Sequence, residues 1–131
     1  GPAPGGTSDK EFRGSVIARD GRTVVLVPRM GTHVAEYDPV AETVERTAEH
    51  GQRGGFGFGA LTDDGTVVLC PRGSDAVGRY DPATRTYADG AAHGADSDNA
   101  FLGAARTPSG LVVFAPLAAD VVGRYDPATD T

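Results

Sequence analysis

The chain has 131 residues, the length of one domain, and its 39% hydrophobic and 23% charged residues indicate a globular protein rather than a disordered one. Its formal net charge of −6 argues against unspecific binding to nucleic acid or to an anionic membrane, because both require a positive protein surface. No apolar run approaches the roughly 20 residues of a membrane-spanning helix. We therefore expect neither a nucleic-acid partner nor a membrane.

The first 11 residues are predicted to form a flexible N-terminal arm, since Gly, Pro, Ala, Thr and Ser dominate the segment. Gly1-Pro2 has the form of a scar left by a cleaved expression tag. The single cysteine, Cys70, lies within a valine-rich run, so we expect a small buried thiol and no disulfide within the chain. The compartment is not indicated.

The next segment predicts four short strands in succession. Residues 12–18 form the first strand, and Asp20-Gly21 predicts a tight hairpin turn. Residues 23–27 are almost continuously apolar, as in a strand covered on both faces, and Pro28 is expected to end this strand. Residues 33–37 form the third strand, Asp38-Pro39 a turn, and residues 43–47 a polar edge strand.

The same pattern then occurs twice more. Tyr37, Tyr80 and Tyr125 are spaced by 43 and 45 residues, and each precedes an Asp-Pro pair. We expect these tyrosines to pack in the core or at its rim, and the Asp residues to cap turns. A period of this length is typical of four-stranded propeller blades. The predicted division is an arm at 1–11 and blades at 12–55, 56–100 and 101–131, the last stopping where its fourth strand would begin.

The segments ARDGRTVVLVPRMGTHVAEYDPVAETVE and TDDGTVVLCPRGSDAVGRYDPATRTY resemble the repeats of YVTN- and NHL-type β-propellers. The resemblance covers residues 12–131 and implies an all-β fold of propeller blades. These repeats carry Pro-Arg or Pro-Leu where YVTN repeats have Asn, so no family site is transferred to this chain.

Three blades do not close a ring, because propellers have about four to eight. An open apolar face on the order of 500 Å² would be worth roughly 12 kcal/mol if covered. The first prediction is therefore a homo-oligomer, a dimer whose two copies close a six-bladed ring, with a neighbour's N-terminal arm supplying the missing fourth strand. The alternative is that the chain is part of a longer propeller.

Candidate binding residues come in two repeated pairs. Arg29 and Arg72 occupy equivalent loop positions, with Leu117 in the third copy, and form the best candidate for a partner surface. His50 and His93 occupy equivalent crossovers between blades; they are either repeated ligand or metal contacts, or turn residues bonded to local backbone. No ligand-spaced second His or Cys accompanies them, so no metal or cofactor is predicted.

Two further patterns are weak. Asp96, Asp98 and Asn99 resemble a calcium loop that lacks its Gly and closing Glu. The glycine-rich residues 54–59 lack the Lys and the following helix of a phosphate-binding loop. The leading prediction is a non-enzymatic scaffold for protein interaction or self-assembly. The alternatives are a propeller that binds a carbohydrate or small molecule, and a fragment of a propeller enzyme such as a lyase or lactonase.

Overall fold

The computed structural model describes residues 11–95 and 99–131, and its regular elements there are all β-strands. The first sheet contains β1 (Phe12–Ile17), β2 (Val24–Pro28), β3 (His33–Asp38) and β4 (Thr43–Glu49). The second contains β5 (Phe56–Leu61), β6 (Val67–Pro71), β7 (Ala76–Asp81) and β8 (Thr86–Ala92). The third contains β9 (Phe101–Arg106), β10 (Val112–Pro116) and β11 (Gly123–Tyr125).

Each sheet is an antiparallel meander in which consecutive strands are neighbours. The prediction of an all-β chain with two four-stranded sheets and an incomplete third is confirmed. The boundaries between blades stay a prediction, as does a fourth strand supplied by another segment. Within the described ranges, no helix has the length and apolarity needed to cross a membrane.

The predicted hairpin turn at Asp20-Gly21 is present. The Asp20 carboxylate accepts hydrogen bonds from the backbone N–H groups of Arg22 and Thr23, both at 2.8 Å, and from the Thr23 hydroxyl at 2.6 Å. The hydroxyl contributes most to lowering the pKa of Asp20. Gly21 has a φ of 72°, which an L side chain rarely adopts, so glycine fits this position.

The Asp-Pro pairs also form the expected turns. Asp38 accepts a hydrogen bond from the N–H of Val40 at 2.9 Å, and the two later repeats contain the same bond, from Ala83 to Asp81 and from Ala128 to Asp126. Each turn ends in a residue with a φ near 55°, namely Glu42, Arg85 and Asp130.

Some strand ends differ from those predicted. The prolines Pro28, Pro71 and Pro116 are the last strand residues rather than the first loop residues, and each lies opposite the Phe that begins the neighbouring strand. Proline is tolerated there because the end of a strand can forgo one ladder hydrogen bond. The repeat pattern predicts the last strand over residues 121–125, but β11 begins at Gly123, at the edge of the three-stranded sheet.

The core lies between neighbouring sheets rather than within one. Successive side chains of a strand point to opposite faces, so Val67 and Leu69 of β6 pack against the first sheet, while Val68 and Cys70 pack against the third. All four are fully buried. The burial predicted for Cys70 is therefore confirmed.

Glu11, which the sequence analysis placed in the N-terminal arm, is buried. Its carboxylate accepts hydrogen bonds from Nε and Nη2 of Arg46 at 2.8 and 2.7 Å, and its carbonyl accepts one from the N–H of Arg29 at 2.7 Å. This ion pair joins the start of β1 to the outer strand of the same sheet. Residues 1–10 lie outside the described residues.

Candidate functional site

A pocket of about 500 Å³ lies where the loops after β2 and β6 meet. Arg29 and Arg72 each follow the proline that ends the preceding strand, and the structure brings both to this pocket. Arg53 and Asp75 also line it. Leu117, the residue at the equivalent position of the third copy, is not among the lining residues and is half exposed.

The two predicted arginines lack counter-ions in the described part of the chain. The Nε atoms of Arg29 and Arg72 are buried and have no hydrogen-bond partner there. Burial lowers the pKa of Arg72, and the positive charges of Arg13 and Arg29 lower it further. The pocket therefore concentrates positive charge and unused N–H donors, the groups that bind a carboxylate or a phosphate. Arg13 and Arg53 were not predicted from the sequence, because neither has an arginine at the equivalent position of another repeat.

Glycines bring the backbones of the pocket together. A Cβ atom at Gly55 would lie 1.5 Å from the carbonyl oxygen of Arg29, and one at Gly54 would lie 2.2 Å from that of Gly73. The same holds at Gly57, 2.2 Å from the carbonyl oxygen of Leu102. The glycine-rich segment therefore allows loops and strands of neighbouring sheets to touch, which accounts for its composition without a phosphate-binding role.

His50 and His93 have equivalent hydrogen bonds. In each ring Nδ1 accepts a bond from a backbone N–H two residues on, of Gln52 at 3.1 Å and Ala95 at 3.0 Å. Each Nε2 must then carry the proton, and it donates to a carbonyl of the preceding loop, of Gly31 at 2.8 Å and Ser74 at 2.7 Å. Both nitrogens of each ring thus hold the crossover between two sheets.

The two histidines lie in different places relative to the pockets. His50 lines the arginine pocket, whereas His93 lines a second pocket of about 240 Å³ with Phe101, Phe114 and Val122. Their role in ligand binding stays a prediction. In residues 11–95 and 99–131, no group of three or more His, Cys, Asp or Glu could hold a metal ion. Asp96 and Asp98 of the calcium-like segment lie outside these ranges.

Ion pairs link neighbouring sheets at two positions of the repeat that the sequence analysis did not single out. The Nε of Arg85 lies 3.0 Å from Oε2 of Glu36 on the first sheet. One repeat later, Oδ1 of Asp130 lies 3.8 Å from Nη1 of Arg79 on the second sheet. In both pairs, the residue that ends an Asp-Pro turn meets the residue before the Tyr of the preceding sheet. Comparing the charged residues at these two positions across the three repeats could have predicted the ion pairs from the sequence.

The outermost sheets each have one face without a neighbouring sheet in the described structure. We call the face covered by the preceding sheet the leading face, and the opposite one the trailing face. Four equivalent apolar positions lie on the leading face of each sheet. Their side chains are buried in the second and third sheets but only half-buried in the first. The buried residues are Phe56, Val67, Leu69 and Tyr80, then Phe101, Val112, Phe114 and Tyr125; the half-buried ones are Phe12, Val24, Leu26 and Tyr37.

The trailing face shows the converse. Val34 and Val77 occupy the same repeat position in the first and second sheets and are 0% and 3% exposed. Their counterpart in the third sheet, Val122, is 57% exposed. Ala115 is likewise exposed where Val27 and Cys70 are buried. Two apolar faces of complementary type therefore stand open, one at each end of the chain.

Solved structures with this arrangement share its fold. Virginiamycin B lyase from Staphylococcus aureus matches with a TM-score of 0.76 at 13% identity, covering 93% of this chain and 40% of its own. Hydrazine synthase from Kuenenia stuttgartiensis matches at 0.69 and 19%, covering 99% and 37%. An auxiliary nutrient binding protein from Bacteroides ovatus matches at 0.64 and 18%, covering 94% and 29%. No protein-family model and no curated protein sequence matches the chain.

These likenesses show that the chain has the fold of a β-propeller, built of consecutive blades. It spans about 40% of the length of the first neighbours, so it is a partial propeller. The finer resemblance to YVTN and NHL repeats stays a prediction. At these identities the neighbours show the fold alone, and what each of them does is not transferred by it.

Proposed function

We propose that the chain is a non-enzymatic β-propeller unit for protein interaction, and that its first partner is a second copy of itself. The observation that supports this is the pair of open faces. The leading face of the first sheet carries the residue types with which the second and third sheets each pack against the sheet before them. A trailing face of this kind already packs against a leading face twice within the chain.

The size of the assembly follows from the blade count. Propellers have about four to eight blades, and six is the one multiple of three in that range. Two copies joined head to tail therefore close a six-bladed ring, with the third sheet of each against the first sheet of the other. Closure removes both open apolar faces from water, which is the driving force for the assembly.

Native mass spectrometry or light scattering tests this proposal at micromolar concentration. We expect a species of twice the 13.4 kDa mass of one chain. A monodisperse monomer of 13.4 kDa would contradict the assembly. The blades would then be completed by the remainder of a longer propeller, and the interaction role would have to be sought there.

The arginine pocket supports a second candidate, the binding of a small anion. Two guanidinium groups there have buried Nε atoms without a hydrogen-bond partner among residues 11–95 and 99–131, and a third like charge, that of Arg13, lies near Arg72. A carboxylate or phosphate would relieve the repulsion between these like charges and accept hydrogen bonds from the unused N–H groups. This is the ligand-binding alternative predicted from the sequence, with the ligand class narrowed to anions.

Thermal unfolding in inorganic phosphate tests the second candidate, with ionic strength held constant by sodium chloride. A bound anion stabilises the folded state, so we expect the melting temperature to rise with phosphate concentration. Arg29→Gln combined with Arg72→Gln should abolish the rise. Arg22→Gln, which removes an exposed arginine paired with Asp38 away from the pocket, is the matched control and should retain it. A rise that survives in the double variant would contradict the site.

A further inference from the structure

The ion pairs between sheets continue, by sequence, beyond the two that the chain forms internally. The turn-ending position is occupied by Glu42, Arg85 and Asp130, and the position before each Tyr by Glu36, Arg79 and Arg124. The chain pairs Arg85 with Glu36 and Asp130 with Arg79. Glu42 and Arg124 are the two members left over, one on each open end. Both are exposed, and no ion pair joins either of them to a described residue.

The signs of these charges are complementary at every step. At the first seam between sheets the turn residue is positive and its partner negative, and at the second seam the signs are reversed. The leftover pair, Glu42 with Arg124, is again opposite in sign. Two like charges at these positions would cost binding energy instead. The two ends of the chain therefore match in charge as well as in apolar surface.

The strand register places Arg124 on the required face. Directly opposed residues on neighbouring antiparallel strands project to the same side of a sheet. Glu36 is opposite Val25 and Arg79 is opposite Val68, and these buried valines lie on trailing faces. Arg124 is opposite Val113, the equivalent valine of the third sheet. It therefore lies on the open trailing face, where Glu36 and Arg79 lie in their own sheets.

We propose that Arg124 of one copy forms an ion pair with Glu42 of a second copy, at both seams of a two-copy ring. The inference rests on the proposed self-assembly and identifies the charged contact that selects the second copy as the partner. The two observed ion pairs define the geometry. In each, the residue that ends a turn of one sheet contacts the residue before the Tyr of the preceding sheet. A second copy fits this surface because it carries both the apolar leading face and an acidic turn residue.

Charge reversal tests the contact without introducing residues that are foreign to the fold. Glu42→Arg places at this turn the residue that Arg85 supplies in the next repeat, where φ is 55° against 54° at Glu42. Arg124→Glu places on β11 the residue that Glu36 supplies on β3. Each single variant puts like charges at both seams of its ring. We expect the dimer dissociation constant to rise on the order of a hundredfold, about tenfold at each seam.

Mixing the two single variants is the experiment that tests whether these two residues pair with each other. In a mixed ring, one seam regains the wild-type pair and the other carries the pair with its signs exchanged, so both are complementary. We expect the mixture, and the double variant Glu42→Arg with Arg124→Glu, to form dimers within about threefold of the wild-type dissociation constant. Arg19→Glu reverses the charge of an exposed residue in the turn after β1, whose side chain lies beside Gly65 of the second sheet and not on an open face, and should leave dimerisation unchanged.

The outcomes separate this inference from the proposed function. If the wild type dimerises but the single variants do so equally well, the ion pair is overturned and self-assembly stands. If the single variants dissociate and the mixture does not recover, the pairing between these two residues is overturned. If the wild type is a monomer at micromolar concentration, both proposals fail together.

Discussion

Gly78 permits the close packing of a phenylalanine within the second sheet. A Cβ atom at this position would lie 2.9 Å from both Cε1 of Phe56 and Cβ of Leu69. Gly123 occupies the same position in the third sheet and meets the ring of Phe101 at 2.9 Å. The first sheet has Ala35 at this position, and its phenylalanine, Phe12, is only half-buried. Fully seated rings therefore coincide with glycine at this position.

Gly78→Ala is expected to destabilise the protein by about 1–3 kcal/mol, because the added methyl overpacks a buried site. Urea unfolding followed by circular dichroism measures the change. Gly103→Ala is the control, since its nearest neighbour, the Cβ of Ala115, would be at an ordinary contact distance of 3.6 Å. Equal stability of the two variants would contradict the packing argument.

Buried tyrosines make the protein sensitive to alkaline pH. Burial, then a hydrogen bond to Asp130, raises the pKa of Tyr125 from 10.0 to about 12. Burial also raises the pKa values of Tyr80 and Tyr87. The unfolded chain loses these protons at lower pH than the folded chain does. The stability that these tyrosines contribute is therefore fully present below pH 10, and it is lost as the pH rises from there through their pKa values in the folded protein.

We expect the melting temperature to fall between pH 10 and pH 12, the interval between the two pKa values of Tyr125. Tyr125→Phe should make the fall less steep, because one of the groups responsible is removed. Melting curves recorded by circular dichroism at several pH values give this slope. A wild-type melting temperature that stays constant up to pH 12 would show that burial does not hold these protons.

At the scale of the elements, the crossovers between sheets depend on a repeated His-Gly unit. His50 connects the end of β4 to the loop after β2, and its ring packs edge-on against Phe56 with centroids 5.3 Å apart. His93 repeats this with Phe101 at 5.8 Å. The glycine that follows each histidine has a positive φ, 65° at Gly51 and 68° at Gly94. This conformation turns the chain towards the first strand of the next sheet.

His50→Ala is expected to cost about 2–4 kcal/mol, because it leaves the carbonyl of Gly31 and the N–H of Gln52 without partners and removes a buried ring. His93→Ala should cost less, since its ring is half-buried while that of His50 is 7% exposed. Denaturant unfolding of both variants tests the order. The reverse order would show that the exposure of each histidine does not determine how much it stabilises its crossover.

At the scale of the whole molecule, the three sheets are wedges that cover one another in sequence. The inner strands β1, β5 and β9 lie side by side, and the apolar clusters lie between sheets. The same residue type can therefore be a core residue in one sheet and an exposed one in another. Val77 and Val122 are such a pair, with equal position in the repeat and opposite surroundings.

Val122→Asp is expected to yield a folded monomer, because it places a charge on the open trailing face and disrupts only the seam between copies. Val77→Asp should prevent folding, since that side chain lies in the core between the second and third sheets. Circular dichroism with light scattering distinguishes the two. A Val122→Asp protein that still dimerises would contradict the ring closure.

The strands and turns were largely predictable because each depends on residues close together in the chain. Short apolar runs, the Asp20-Gly21 turn and the Asp-Pro turns all act locally, and the fold confirmed them. The strand ends at the prolines and the late start of β11 were not predicted, because they depend on the pairing of strands.

The candidate site was predictable only in part. The repeat identified Arg29 and Arg72 as equivalent, but equivalent positions lie in different sheets, and their sharing of one pocket depends on how the two loops pack. The contact of Arg85 with Glu36 is likewise a property of two sheets brought together.

The sequence by itself therefore determined the number, order and type of the predicted strands, because short apolar runs and turn chemistry act over a few residues. Only the tertiary structure decided which faces are covered and which charges meet, because both depend on the position of one sheet against the next. The open ends of the chain belong to this second kind of fact, and they carry its proposed function.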